Sequence, residues 1–154
     1  MSATLGSESD AVRFAPRLRP PVRRVLGHGA IAAFAGTAVT AGYGAIVLAV
    51  HGPMRAGSFG AAQAGEVHVY DFAVNVLVPA LVATALAVIL ARFARYPTRV
   101  FTWVTGALAV VSLAGPLTAS HTTEAIRLLL ALGHVIAAAV VIPILARGLA
   151  TKDR

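Results

Sequence analysis

Residues 112 to 148 read SLAGPLTASHTTEAIRLLLALGHVIAAAVVIPILARG, and this stretch decides the fold class. Between Glu124 and Arg147 the side chains are apolar apart from Arg127 and His134. A helix needs about 20 predominantly apolar residues to cross a bilayer, and this run is long enough. We therefore predict a membrane-spanning helix with a charged pair at its start and a histidine near its middle.

The composition of the whole chain supports a membrane protein. Apolar residues make up 58% of the 154 residues and charged residues only 12%, against about 45–50% and 25% in soluble domains. The chain has no cysteine, which excludes disulfides and thiolate metal sites. Aromatic residues are scarce, at 6%, and the basic residues flank apolar runs, so a nucleic-acid partner is not expected.

Apolar runs of membrane length occur four times, so we predict an all-α membrane protein with four transmembrane helices in an antiparallel bundle. A basic tail, residues 1–24, precedes the transmembrane domain of residues 25–148, and residues 149–154 form a second tail. The loop of residues 51–70 is long enough to fold over the end of the bundle. A Gly-Pro pair, Gly115-Pro116, should break or kink the third helix. The predicted spans are residues 25–50, 71–91, 100–119 and 124–146.

The distribution of basic residues predicts the orientation of the bundle. Eleven of the 13 basic residues lie in the N-terminal tail, in the turn of residues 92–99 and at the C-terminal end from Arg147 onward. The opposite side carries only Arg55 and Arg127. Since Lys and Arg are enriched in cytoplasmic segments, we expect both termini in the cytoplasm and the loop of residues 51–70 outside.

Small side chains line one face of the first span. Their spacing alternates between four and three residues, which places them on a single side of a helix. Small residues let the backbones of membrane helices approach closely, so this face is more plausible as a packing seam than as a ligand groove. The residues are Gly29, Ala33, Gly36, Thr40 and Tyr43.

Polar residues collect in the outer half of the predicted bundle, and His134 lies deepest among them. Polar side chains at membrane depth usually face the bundle interior or a wet cavity. Together they suit acid–base chemistry on a lipophilic substrate that enters from the bilayer. The candidate catalytic residues are His134, Asp71 and Glu124, and the candidate ligand-binding residues are Asn75, Arg127, His68 and His121.

Two simpler interpretations of these residues stay open. In the first, His134 forms only an interhelical hydrogen bond, with Thr40, Asn75 or Ser112 as partner. In the second, Glu124 and Arg127, three residues apart, form only an exposed ion pair at the membrane interface. Glu124 also suits the positive end of the helix dipole, and Thr122 is the expected capping residue.

A metal or cofactor is not expected. His51, His68 and His121 could bind a transition metal with Asp71 or Met54, but no local metal-binding motif is present. A haem between His28 and His134 is not expected, because the two histidines lie near opposite depths of the predicted bundle.

The third and fourth spans resemble a family of short four-helix membrane proteins from actinobacteria whose function is unknown. The resemblance covers about half of the chain and departs from the family pattern at Gly133, where methionine is usual. It implies a multi-pass protein of the bacterial cell membrane and supplies no activity. The matching residues are the run Ser112 to Leu117 with its Gly-Pro break, then Leu132-Gly133-His134, Ile142-Pro143 and Arg147.

Three classes of function stay open, and the sequence does not decide whether the protein is an enzyme. The first is a pocket in the outer half of the bundle that binds or transforms a lipophilic small molecule. The second is a structural or accessory subunit that docks another membrane protein through small-residue helix faces. The third is a small transporter that works as a homo-oligomer.

Overall fold

The computed structural model describes residues 19–150, and the described chain is mostly helical. Four helical segments are long and apolar enough to cross a membrane. They begin and end within three residues of the predicted spans. Residues 1–18 of the predicted basic tail and residues 151–154 lie outside the described residues. In chain order the elements are α1 (Val22–His51), β1 (Met54–Ala56), β2 (Gly65–Val67), α2 (Val69–Phe93), α3 (Pro97–Ser112), α4 (Ala114–Leu117) and α5 (Glu124–Leu149).

Local sequence signals explain where the helices begin. Pro97 is the first residue of α3, where its missing N–H group would have no intrahelical partner in any case. The Thr123 hydroxyl accepts a hydrogen bond from the backbone N–H of Ile126 and caps α5. The prediction that Thr122 is the capping residue was therefore wrong by one position. Glu124 lies in the first turn of α5, where its negative charge interacts favourably with the positive end of the helix dipole.

The third span is interrupted close to the predicted Gly-Pro break. α3 ends at Ser112, a turn follows at Leu113, and the four residues of α4 complete the span. Pro116 has no N–H to donate to the carbonyl of Ser112, four residues earlier, so a continuous helix would lose this hydrogen bond. The regular helix is therefore interrupted at Leu113, where the backbone N–H bonds the carbonyl of Val110, three residues earlier.

The core is built around α1, which packs most extensively against α2 and α5, whereas α3 packs mainly against α5. The predicted small-residue seam accounts for this arrangement. Gly29, Ala33, Gly36 and Thr40 are all buried. A Cβ atom at Gly36 would lie 2.6 Å from Cγ2 of Val141 on α5. The seam is thus filled by neighbouring helices of the same chain.

The loop between α1 and α2 is ordered as a small antiparallel hairpin of β1 and β2, with Met54 opposite Val67. The side chain of Met54 is fully buried, in a cluster with Val47, Phe72 and Ile126. The hairpin therefore closes this end of the helices, which we call the hairpin end.

The hairpin is also tied to the link that precedes α5. The backbone groups of Gly57 and Ser120 form a reciprocal pair, with N–H to carbonyl distances of 2.9 and 3.0 Å. The Ser120 hydroxyl donates to the carbonyl of Ser58. Since the hairpin and the link that precedes α5 are joined by hydrogen bonds, the hairpin end forms one unit rather than a free loop.

At the opposite end, which we call the basic end, two arginines satisfy helix carbonyls. Arg19 donates to the carbonyl of Arg92 near the end of α2 at 2.7 Å. Arg24 donates to the carbonyl of Arg147 near the end of α5 at 3.1 Å. The last carbonyls of a helix lack intrahelical donors and carry partial negative charge, so both contacts stabilise helix termini.

Candidate functional site

The predicted site residues lie in three separate places in the structure. One is the start of α2, the second is the link into α5, and the third is the middle of α5. No single recess among the described residues combines them. His134 lines one recess, and Glu124 and Arg127 line another. Neither recess includes Asp71 or Asn75.

The residues at the start of α2 contact one another rather than a pocket. The Asp71 carboxylate accepts a hydrogen bond from the backbone N–H of His68 at 2.8 Å, as in a capping box. Nδ1 of His68 lies 3.8 Å from the same carboxylate, and its ring stacks on Tyr70. The Asn75 amide donates to the carbonyl of Asp71. Each of these contacts stabilises the first turns of α2.

The residues of the link into α5 bind backbone carbonyls. Nε2 of His121 lies 3.0 Å from the carbonyl oxygen of Ala61 in the hairpin, and the backbone of His121 has a positive φ of 52°. Nε of Arg127 donates to the carbonyl of Ala119 at 2.9 Å. These two side chains therefore support the hairpin end.

Glu124 and Arg127 form no ion pair with each other, although both belong to the described residues. They line a shallow recess of about 230 Å³ together with Leu117 and Leu128. The recess lies on the surface of the hairpin end, away from the groove that His134 lines. The catalytic role expected of Glu124 and the ligand-binding role expected of Arg127 stay predictions.

His134 lies ten residues after the start of α5, or ~15 Å along the helix axis at 1.5 Å per residue. Its Nδ1 atom is 3.0 Å from the carbonyl oxygen of Leu130, one turn earlier on the same helix. No hydrogen bond joins the ring to Thr40, Asn75 or Ser112 within the described chain. The ring is half-buried, so it is accessible from one side.

The accessible side of His134 belongs to a groove of about 480 Å³ between α3 and α5, which we call the α3–α5 groove. His134 is the only lining residue with a polar side chain. Val110 is 69% exposed, so the groove opens on the surface of the protein. The lining residues are Ala109, Val110, Leu113, His134, Val135, Ala138, Ala139, Ile142 and Pro143.

The packing of Gly133 explains why His134 does not point toward Asp71 and Asn75. A Cβ atom at Gly133 would lie 3.5–3.6 Å from the rings of Tyr43 and Phe72. The Gly133 side of α5 therefore packs against α1 and α2. The next residue is rotated by about 100° around the helix, which carries His134 toward α3.

Two contributors to the site were not predicted from the sequence: the α3 wall of the groove and the effect of Pro143. Pro143 cannot donate to the carbonyl of Ala139, and both residues line the groove. The signal was present in the small residues Ala138 and Ala139 followed by a proline inside a spanning helix.

A metal site is not formed by the residues that the structure describes. Among residues 19–150, no group of three His, Asp or Glu side chains is placed to hold a metal ion. His51, His68 and His121 all belong to the hairpin end, but they form no such group with Asp71, while His28 lies near the basic end and His134 in the middle of α5.

Four apolar helices of spanning length define the class of this chain as a multi-pass membrane protein. The scan against family models then identifies the group within that class. The chain belongs to the DUF6069 family of unknown function, whose model matches residues 20–151. The expectation of an uncharacterised family is thus confirmed, over a longer stretch than the two spans that carried the resemblance. Neither a curated protein nor a solved structure matches the chain.

Proposed function

We propose that this protein binds a lipophilic small molecule in the α3–α5 groove. The observation that carries the proposal is the position of His134, a lone polar side chain in an otherwise apolar groove at membrane depth. Polar side chains are rare at this depth, and they usually mark a functional site. The groove volume of about 480 Å³ lies within the range of small-molecule sites.

The shape of the groove supports entry from the bilayer. Val110 and Val135 on its two walls are exposed, and both belong to helices of spanning length. In a membrane these surfaces face acyl chains. A lipophilic molecule can therefore reach the groove laterally without crossing water.

The geometry supports binding better than acid–base catalysis. General acid–base chemistry at two positions of a substrate needs two groups within reach of it. Asp71 and Glu124, the other candidate catalytic residues, do not line the α3–α5 groove. His134 alone can hydrogen-bond a ligand and orient it.

An accessory subunit is less well supported, because the small-residue face of α1 is already occupied. Gly29 contacts Thr84 of α2, and Gly44 contacts Phe72 of the same helix. A membrane partner would have to use another surface of the protein.

For the topology, we propose an antiparallel bundle with both termini on the cytoplasmic side of a bacterial cell membrane. The excess of arginines at the basic end supports this orientation. The resemblance of the third and fourth spans to an actinobacterial family supports the choice of membrane.

The native chain has no cysteine, so single-cysteine variants test the orientation. In intact cells, an impermeant maleimide should label Ser58→Cys in the hairpin and should leave Thr98→Cys in the basic turn unlabelled. After the cells are opened, both should react. Labelling of Thr98→Cys in intact cells would reverse the proposed orientation.

The groove itself is tested by filling it. Ala139 is exposed and lines the groove, so Ala139→Phe should occupy the space without disturbing the core. The probes are a diazirine-bearing 8-hexadecanol and its methyl ether, with labelled residues mapped by peptide mass spectrometry. We expect saturable labelling of residues 109–113 and 134–143 by at least one probe, reduced about ten-fold in Ala139→Phe.

The matched control is Ala125→Phe, which adds the same ring at an exposed position of α5 outside the groove. This variant should label like the native protein. Labelling by both probes that does not saturate, or that spreads over all lipid-facing helices, would contradict a binding groove.

A further inference from the structure

The hydrogen bond of the His134 ring defines which of its nitrogens is available. A backbone carbonyl can only accept a hydrogen bond, so Nδ1, at 3.0 Å from the carbonyl oxygen of Leu130, must carry a proton. A charged ring at membrane depth is expensive. In the neutral ring the remaining nitrogen, Nε2, is an acceptor.

The hydroxyl groups on the neighbouring wall are not available as donors to Nε2. Ser112 donates to the carbonyl of Ala109 at 2.7 Å, and Thr105 donates to the carbonyl of Phe101 at 2.7 Å. Both bonds lie within α3. The acceptor Nε2 therefore has no partner among the residues that the structure describes.

Pro143 provides a second acceptor in the same groove. Its nitrogen carries no hydrogen, so the carbonyl of Ala139 lacks its usual donor four residues later. Ala139 and Pro143 both line the groove, and they lie about 7 and 14 Å further along α5 than His134 at 1.5 Å per residue. The side chains around them are apolar, so the groove offers hydrogen-bond acceptors and no side-chain donor.

The depth of the groove restricts where the donor lies in the ligand. His134 is ~15 Å along the axis from the start of α5, near the middle of a hydrocarbon core of about 30 Å. A lipid whose hydroxyl is anchored at the headgroup does not bring it to this depth. The fitting molecule has apolar segments on both sides of its donor.

We infer that the α3–α5 groove binds a lipophilic molecule that presents an internal hydroxyl, as a secondary alcohol or a phenol, to Nε2 of His134. This inference rests on the proposed binding function and names its ligand class. It excludes ligands that carry only acceptors, such as ketones, ethers and esters, as preferred occupants. In such a complex the ligand oxygen and Nε2 would both be acceptors, and no hydrogen bond could form between them.

Three probes of equal length test the inference: 8-hexadecanol, 8-methoxyhexadecane and 8-hexadecanone. Each competes with tritiated 8-hexadecanol for the purified full-length protein in detergent. The alcohol should compete about five-fold better than the ether or the ketone, the order of magnitude of one net hydrogen bond. Equal competition by all three would overturn the hydroxyl preference while leaving the binding function intact.

Variants of His134 assign the preference to its ring. His134→Phe retains the bulk but has no acceptor, so it should bind the three probes equally. A five-fold preference that persists in His134→Phe would refute the role of Nε2. If the native protein binds none of the three probes, the proposed binding function itself fails. That result differs from binding all three probes equally, which removes only the hydroxyl preference.

Discussion

Replacing Gly36 with leucine should lower the free energy of unfolding by about 1–3 kcal/mol, the usual effect of overpacking a core. Gly36 lies on α1 where α2 and α5 meet it. The first added carbon would lie 2.6 Å from Cγ2 of Val141 and 3.1 Å from Cγ1 of Val76. Both neighbours are β-branched and have little rotamer freedom, so the helices must separate to accept the side chain.

The matched control is Gly42→Leu on the same helix. Nothing lies within 4 Å of a Cβ atom at Gly42. Both substitutions raise helix propensity, by about 0.8 kcal/mol, so a loss of stability at Gly36 alone reports packing. Thermal unfolding in detergent, followed by size-exclusion chromatography, measures both variants. Equal melting temperatures would show that the α1 seam is not as close-packed as the structure has it.

The second large effect is expected at Phe101, the largest of the fully buried side chains. Phe101 and Thr105 are the only buried residues of α3 in the described structure. Phe101 joins α3 to the core cluster that includes Ala91, Leu145 and Leu149. Phe101→Ala should therefore destabilise the protein by about 2 kcal/mol or more, mainly through the cavity that it leaves.

The same substitution should also impair ligand binding, because α3 forms one wall of the groove. A loosened α3 changes the distance between Val110 and Val135 on the two walls. Trp103→Ala provides the control, since Trp103 is on the same helix and 76% exposed. It should change stability by less than about 0.5 kcal/mol. If Phe101→Ala keeps the stability and the probe labelling of the native protein, the packing of α3 does not depend on this side chain.

The number and limits of the helices could be read from the chain because they depend on local composition. The four apolar runs, separated by more polar segments, predicted spans that differ from the observed helices by three residues or fewer. The break of the third span followed in the same way from Pro116, which cannot complete an intrahelical hydrogen bond. The hairpin was not predicted, since its two strands have only three residues each.

The candidate site could be predicted only in part. His134 was identified from sequence because a histidine inside a long apolar run is rare. Its neighbours were not, because they depend on how α5 is rotated about its own axis. The close approach of Phe72 and Tyr43 to Gly133 decides that rotation. Side chains of successive residues are rotated by about 100° around the helix. This rotation is enough for a side chain to face α3 instead of α2.

By itself, the sequence determined that this is a membrane protein of four helices, that its first helix packs through small residues, and that a histidine, His134, interrupts its fourth apolar run. These properties follow from composition and helical periodicity along one segment. Only the tertiary structure decided that the hairpin covers one end of the helices, with Met54 buried between them, and that His134 faces an apolar groove beside α3. Both depend on contacts between segments distant in the chain, where the fit of a few side chains selects one helix rotation among several that the apolar pattern allows.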